Sequence, residues 1–168
     1  MSYRNKTYVA FASEDIKSYY LMKAWRDNEN IDFNFIDAHD LNTALDTSQP
    51  DTIRRRLRER LANTKQVVVL VGDVTSPKAA LSGSFLYYEI EVIESLSLPV
   101  VFANLNQYRK AEEIRMPSKL RSPYYTMSVS FQPKIIKYAL DDYAEGYEDS
   151  TNEGAYWYKE TVYKELGL

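Results

Sequence analysis

The sequence predicts an α/β fold, in which a five-stranded parallel sheet carries helices on both of its faces. Two observations predict this class. First, short apolar segments alternate with segments of helical periodicity along most of the chain, as in strand–helix–strand units. Second, residues 66–71 read Gln-Val-Val-Val-Leu-Val. Such an almost unbroken apolar run suits a parallel strand that is covered on both faces.

The first predicted unit is a strand at residues 7–12 and a helix that ends near residue 26. Ser13 suits the N-cap of this helix, because its hydroxyl can accept a hydrogen bond from a backbone N–H of the first turn. The second helix starts near Pro50, a residue suited to a first helical turn. Apolar side chains recur at helical spacing in both helices: Ile16, Tyr20, Leu21 and Trp25 in the first, and Ile53, Leu57 and Leu61 in the second.

The remaining elements continue the alternation. In chain order they are a short strand at residues 33–36, a polar loop at 37–51, the strand at 66–71, a helix at 84–96, strands at 99–104 and 126–131, a helix at 133–143 and a last helix at about 153–165. We therefore expect an α/β domain at residues 1–143 and a C-terminal helical extension at 144–168, packed on the same domain. Because crossovers between parallel strands are right-handed, the expected topology is flavodoxin-like, with strand order 2-1-3-4-5.

Composition limits the classes of function. The 168 residues include no cysteine, which excludes disulfides, thiol catalysis and zinc–thiolate sites. The net charge of −3 gives no general attraction to nucleic acid or acidic membranes. No apolar run approaches the roughly 20 residues that span a bilayer, and the polar first residues do not suggest a signal peptide, so we expect a cytoplasmic protein. A Gly-x-Gly-x-x-Gly pattern and a P-loop are both absent from the sequence, and we expect neither a cofactor nor a metal site.

Ligands of such sheets bind at the carboxyl ends of the strands, where the strand order reverses. Four side chains expected at this edge also have an explanation that involves no ligand. Glu89 can be a solvated helix carboxylate and His39 a surface group, and Asp37 and Asp40 can be loop caps. The arginine-rich run at 54–60 likewise suits the polar face of an amphipathic helix. The groups predicted at this edge are Phe11, Ala12 and Ser13 after the first strand, Asp37, His39 and Asp40 after the second, Gly72, Asp73 and Thr75 after the third, and Glu89 on the helix that follows.

Two segments of the sequence carry a resemblance to a known family. Residues 8–15 are an apolar strand that ends in Ala-Ser-Glu-Asp. Phe85 precedes Glu89 by four residues, so both side chains lie on one helix face. Together these segments resemble the TIR domain, and the resemblance implies that Glu89 corresponds to the glutamate that enzymatic TIR domains use to cleave NAD.

The resemblance narrows to the TIR-like family of the B component of the Thoeris anti-phage system. Residues 35–40, Phe-Ile-Asp-Ala-His-Asp, and residues 88–91, Tyr-Glu-Ile-Glu, carry it, and it covers about residues 6–143. The chain departs from the wider TIR pattern at three positions: Ala10, where serine is frequent, Phe11, where tyrosine or histidine is common, and Phe85, where tryptophan is usual.

This resemblance implies that phage infection, through a phage-derived activator, turns on the conversion of NAD to nicotinamide and a cyclic ADP-ribose isomer. The nucleotide messenger then switches on a separate effector. Bond cleavage gives an oxocarbenium-like centre, which one carboxylate near the ribose stabilises, so NAD is a substrate and no cofactor is needed. We expect Glu89 to be that carboxylate and to face a cleft rather than the core. The expected substrate contacts are Phe11 and Phe85 as aromatic walls, with Ala12, Ser13, Asp37, His39 and Thr75.

Two other classes of function stay open. A TIR-like fold can serve as a non-enzymatic module for assembly and partner docking. A phosphorylation-dependent receiver shares the flavodoxin-like topology, and Glu14, Asp15 and Asp73 imitate its acidic residues. Asn104 and Lys134, however, do not suit the hydroxyl and lysine positions that a receiver needs.

The C-terminal aromatic residues allow two interpretations. Tyr156 and Tyr163 are seven residues apart, so in a helix they would share a face that docks on the domain. Trp157 and Tyr158 would then be available to contact a second copy of the chain or a phage component, since aromatic residues are enriched at interface centres.

Overall fold

A computed structural model describes residues 6–33, 36–37 and 49–168. None of the helices in these ranges combines the length and apolar composition needed to cross a membrane. The strands are β1 Lys6–Ala10, β2 Ile36–Asp37, β3 Gln66–Val71, β4 Val100–Asn104, β5 Thr126–Ser130 and β6 Ala155–Trp157; the α-helices are α1 Ile16–Asp27, α2 Pro50–Leu61, α3 Thr75–Ala80, α4 Phe85–Ser95, α5 Pro133–Ala139 and α6 Glu160–Glu165.

The strands form one parallel sheet in the order β2-β1-β3-β4-β5-β6. The predicted order of the first five strands is confirmed, and β3 has the predicted bounds. Every residue of β3 is buried, because helices cover both faces of the sheet. The order reverses beside β1, which lies between β2 and β3.

Each face of the sheet has its own hydrophobic core. Val9 and Phe11 point to the face covered by α1 and α5. Tyr8 and Ala10 point to the opposite face, covered by α2 and α4, as the alternation of side chains along a strand requires. We call these the α1 face and the α4 face. Leu57 and Leu61 of α2 are buried on the α4 face, which confirms the predicted apolar stripe.

Several local predictions differ from the structure. Ser13 was expected to cap the first helix, but it begins a single 3₁₀ turn, Ser13–Asp15, and Asp15 is the N-cap of α1. The second strand, expected at residues 33–36, lies at Ile36–Asp37. Helix α3 was not predicted at all. By contrast, Ser84 caps α4 at the predicted place, since its Oγ accepts a hydrogen bond from Tyr87 N at 3.1 Å.

The prediction of a single helix at residues 153–165 is wrong. Gly154 has a φ of +91°, a backbone conformation that glycine adopts without strain. The chain then enters the short strand β6, which pairs with β5, and only α6 remains of the predicted helix. Tyr156 and Tyr163 consequently do not share a helical face, and they are 39% and 0% exposed. The division at residue 143 stays a prediction, although β6 belongs to the same sheet as the rest.

The C-terminal segment is held by its tyrosines. The buried Tyr163 hydroxyl accepts a hydrogen bond from Ser130 N at 3.1 Å, at the end of β5. The Arg109 guanidinium lies 4.4 Å from the centre of the Tyr163 ring and pairs with Glu160 at 2.8 Å. These contacts attach α6 to the α1 face and support the docking interpretation.

Candidate active site

The predicted catalytic carboxylate is buried. Glu89 lies in the second turn of α4 and is only 1% exposed. The Tyr8 hydroxyl of β1 donates a hydrogen bond to Glu89 Oε2 at 2.5 Å. The expectation that Glu89 faces a cleft rather than the core is therefore corrected, because α4 turns this residue toward the sheet.

Burial changes the acidity of this group. Desolvation disfavours the charged carboxylate and raises the pKa of Glu89 from 4.5 to about 8, while the Tyr8 hydrogen bond and the Arg60 charge oppose the shift. At neutral pH the resting protein therefore holds Glu89 mainly in its neutral form. A perturbed carboxyl with a specific partner is typical of functional sites.

Sequence reasoning missed Tyr8, although one signal was available. A tyrosine inside an apolar strand usually finds a hydrogen-bond partner for its hydroxyl when it is buried. Tyr8 is 0% exposed, and it alternates with Val9, whose side chain lies on the other face of the sheet.

Phe85, Tyr88 and Glu91 are the neighbours of Glu89 on α4, and the role of Phe85 as an aromatic wall for substrate stays a prediction. Phe85 is half-buried on the same helix and packs against the core of the α4 face. Glu91 pairs with Arg54 at 2.8 Å and is not part of the buried site. The Arg54 guanidinium also lies 5.2 Å from the centre of the Tyr88 ring. This places Arg54 on the polar side of α2, as the amphipathic interpretation predicts.

The residues after β1 separate onto the two faces of the sheet. Phe11 stacks on Tyr19, with ring centroids 4.8 Å apart, on the α1 face, whereas Ala12 is buried on the α4 face. Ser13 is exposed, and its hydroxyl donates to Glu14 Oε2 at 3.3 Å. Phe11 and Glu89 thus lie on opposite faces here, and substrate contacts of Phe11, Ala12 and Ser13 stay predictions.

The candidate site residues after β2 and β3 differ in how much of each the structure describes. His39 and Asp40 lie outside the described residues, and of Asp37 the structure describes the backbone, which pairs with Thr7. Thr75 is buried, and its hydroxyl accepts from Gly72 N at 2.8 Å and donates to Leu70 O at 3.3 Å. This hydroxyl shapes the turn after β3, and its contact with substrate stays a prediction.

A second polar group at this edge consists of Asp15, Gly72, Asp73 and Arg115. Asp15 lies against the backbone of Gly72, so closely that an added Cβ there would be 2.5 Å from Asp15 Oδ2. Arg115 comes from the long connection between β4 and β5, and its Nη1 contacts Asp73 Oδ1 at 3.1 Å. Burial, followed by the Glu14 and Asp73 charges, raises the pKa of Asp15, and the Arg115 charge lowers it.

Substitution of Gly72 tests this close approach. We expect Gly72→Ala to lower the free energy of unfolding by about 1–3 kcal/mol, because the new methyl group overpacks against the Asp15 carboxyl. Denaturant unfolding measures the change. Gly146→Ala is the control, since its added Cβ meets only Asp142 O at 3.4 Å. Equal unfolding free energies for the two variants would contradict the close packing.

A surface cavity of about 580 Å³ lies away from Glu89. It opens where α5 and α6 meet the turn after α1, on the α1 face, and it contains none of the predicted site residues. Within residues 6–33, 36–37 and 49–168, no group of three or more His, Cys, Asp or Glu side chains is arranged to hold a metal ion.

A family model of known proteins matches most of the chain. Residues 8–110 match the family model described as the TIR-like domain of the Thoeris protein ThsB. The match starts at Tyr8, within β1, and includes Glu89 and the strands β2, β3 and β4.

Proposed function

Because this chain belongs to the family of the Thoeris protein ThsB TIR-like domain, we propose that it is an NAD-consuming signalling enzyme of anti-phage defence. Membership associates the chain with a TIR-like role in this defence, together with other Thoeris proteins. The proposed reaction releases nicotinamide from NAD and forms a cyclic ADP-ribose isomer, which activates a separate effector. The observation that carries the proposal is Glu89 on α4, a buried carboxyl whose pKa is raised.

The chemistry needs a single carboxylate. Nicotinamide leaves as a neutral molecule from a cationic pyridinium, so no general acid is required, and positive charge develops on the ribose as in glycoside cleavage. Glu89 in its ionised form stabilises that charge and orients the ribose hydroxyls. Cyclisation then requires that water is kept out and that an atom of ADP-ribose lies close to the anomeric carbon.

The resting state suits a signalling enzyme that waits for its trigger. Glu89 is enclosed and mainly neutral at pH 7, so it stabilises a cation poorly until it is exposed or ionised. The cationic nicotinamide ring itself favours the ionised form, because a positive charge nearby lowers a carboxyl pKa. Substrate binding and ionisation of Glu89 are therefore coupled.

Release of nicotinamide tests the proposal directly. We would incubate the full chain with NAD, in extract from phage-infected cells and in extract from uninfected cells, and measure nicotinamide and cyclic products by mass spectrometry. The proposal expects product formation that depends on infection and on Glu89. If neither extract yields nicotinamide above the level of the Glu89→Gln variant, the chain is not this enzyme.

The Tyr8→Phe variant tests whether the Tyr8 hydroxyl positions Glu89 or whether the Tyr8 ring only packs in the core. The variant keeps the ring but loses the hydrogen bond that favours the ionised carboxylate. We expect the pKa of Glu89 in the resting protein, about 8 in the wild type, to rise by roughly one to two units in a pH titration of this carboxyl followed by NMR. Tyr88→Phe is the control, since it removes a neighbouring hydroxyl and leaves the Glu89 hydrogen bond. Identical titrations of Glu89 in Tyr8→Phe and the wild type would show that Tyr8 does not position Glu89.

A non-enzymatic assembly module is the second candidate, and the edge of the sheet favours it. Strand β6 is the last strand in the sheet, and Tyr156 and Trp157 on it are 39% and 48% exposed. A sheet edge with aromatic side chains can pair with another chain. The receiver alternative lacks support, because Asn104 Nδ2 donates to Tyr108 O and Lys134 Nζ donates to Leu166 O.

A further inference from the structure

We propose that Asp15 and Arg115 form a subsite for ribose hydroxyls, which on the proposed function belong to the adenosine half of NAD. Both residues lie where the strand order reverses, the place at which open α/β sheets bind ligands. Since Glu89 is assigned to the nicotinamide ribose, the second ribose of NAD is the one left for this subsite.

Two buried atoms at this place lack a hydrogen-bond partner among the described residues. They are Asp15 Oδ2, an acceptor, and Arg115 Nε, a donor. Buried polar atoms are rarely left in this state, because each one costs free energy in the folded protein. A ligand that donates to one atom and accepts from the other would satisfy both, and because the two atoms are covered in the resting protein, it reaches them only when the Asp15 and Arg115 side chains turn outward.

The connection that carries Arg115 is held in place by several hydrogen bonds. Arg115 Nη1 contacts Asp73 Oδ1 at 3.1 Å. Arg121 anchors the same connection, since its Nη2 donates to Ile114 O at 3.2 Å and to Met116 O at 3.1 Å. Glu113 Oε1 accepts a further hydrogen bond from Ser122 N at 2.9 Å. A backbone on such a support loses little freedom on binding.

The charges around the subsite favour a ribose hydroxyl over a phosphate as the bound group. A hydroxyl donates and accepts, so one ribose diol can donate to Asp15 and accept from Arg115. A phosphate has no proton to offer Asp15, and the nearby Glu14 and Asp73 carboxylates repel it. Acidic residues contact ribose hydroxyls in the same way in other dinucleotide-binding sheets. The subsite therefore selects NAD over NADP, which carries a phosphate on the adenosine ribose.

The test compares NAD and NADP binding by calorimetry to the full chain carrying Glu89→Gln, which prevents turnover. We expect NAD to bind more tightly than NADP. Asp15→Ala should weaken NAD binding by about 10-fold or more, the effect of one hydrogen bond to a charged group. Asp15→Asn should reduce the preference for NAD, because Arg115 can then attract the phosphate without an opposing carboxylate.

Two further variants separate this role from general effects. Arg115→Lys keeps a positive charge for Asp73 but has no Nε–H, and we expect weaker NAD binding. Asp27→Asn, the matched control, removes an exposed carboxylate at the other end of α1 that pairs with Arg26 at 3.2 Å, and NAD affinity should be unchanged.

Thermal melting supplies an independent readout. Because Asp15 Oδ2 has no partner to lose, Asp15→Asn should leave Tm unchanged or raise it. A lower Tm would mark Asp15 as a structural residue and overturn the subsite. NAD binding that is equal with and without Asp15→Ala would also overturn the subsite but leave the proposed enzyme intact. Absence of NAD binding to the Glu89→Gln chain would overturn the subsite, whereas the proposed enzyme is tested separately by nicotinamide release in extract from infected cells.

Discussion

Glu89→Gln is expected to reduce NAD turnover by roughly 100-fold or more in the activated state, the scale seen when one preorganised electrostatic group is lost. Glutamine keeps the shape of the side chain and can still accept the hydrogen bond from Tyr8. It cannot become negative, so it cannot stabilise the cation that forms when nicotinamide departs. Nicotinamide release per unit time measures the loss.

The same variant should not destabilise the protein. In the wild type the pKa of Glu89 is about 8 when folded and near 4.5 when unfolded, so the folded state binds more protons between these values. This contribution to stability is complete below about pH 4.5 and disappears as the pH rises through 8. Between pH 4.5 and pH 8, the free energy of unfolding therefore falls by roughly 1.4 kcal/mol for each unit by which the pH rises. Glutamine removes that slope, so Glu89→Gln should equal or exceed the wild type in stability at pH 8.

Glu91→Gln is the matched control on the same helix. It removes a carboxylate that is partly exposed and pairs with Arg54. We expect its turnover to equal that of the wild type and its stability to keep the pH slope. Equal turnover for Glu89→Gln and Glu91→Gln would remove Glu89 from the mechanism, and a preserved slope in Glu89→Gln would contradict its burial.

Truncation after Glu145 is expected to cause a large loss of thermal stability. The truncated chain lacks β6, which pairs with residues 126–128 of β5, and lacks the fully buried Tyr163. Replacement of a buried aromatic residue by alanine alone typically costs about 3–5 kcal/mol. For a domain of this size such a loss lowers Tm by roughly 10 °C. Calorimetry and sedimentation, measured together, distinguish docking from assembly.

Two point variants make the truncation interpretable. Tyr163→Ala removes a buried anchor and should reproduce most of the fall in Tm. Trp157→Ala removes a side chain that is 48% exposed, so it should change the free energy of unfolding by less than about 0.5 kcal/mol. If Trp157→Ala instead shifts the chain to a smaller species in sedimentation, β6 is an interface.

Local patterns predicted most of the fold. The bounds of β3, the start of α4 near Ser84 and the stripe of α2 depend on neighbouring residues, which a sequence shows directly. Strand β6 was missed because three residues carry little periodic signal, and its formation depends on pairing with β5.

The sequence predicted a site residue only where the signal lies within one helix. Spacing within one helix identified Glu89 but not its environment. Its partner Tyr8 is 81 positions away in sequence. Arg115 reaches the end of β3 through a long irregular connection, which no periodicity describes. Contacts between distant segments therefore account for what sequence reasoning could not supply.

The location of Tyr8 has a consequence for the kinetics of activation. Tyr8 belongs to β1, which pairs with β2 on one side and β3 on the other, and its side chain is fully buried, so it has no free space in which to turn away from Glu89. Release of the carboxyl from this hydroxyl requires α4 to move relative to the sheet. Such a rearrangement is collective and belongs to the microsecond-to-millisecond range, not to the nanosecond motions of a surface loop. Whatever activates the protein must therefore bind the shifted arrangement of α4 more tightly than the resting one, and it can shift the population only by that difference in affinity.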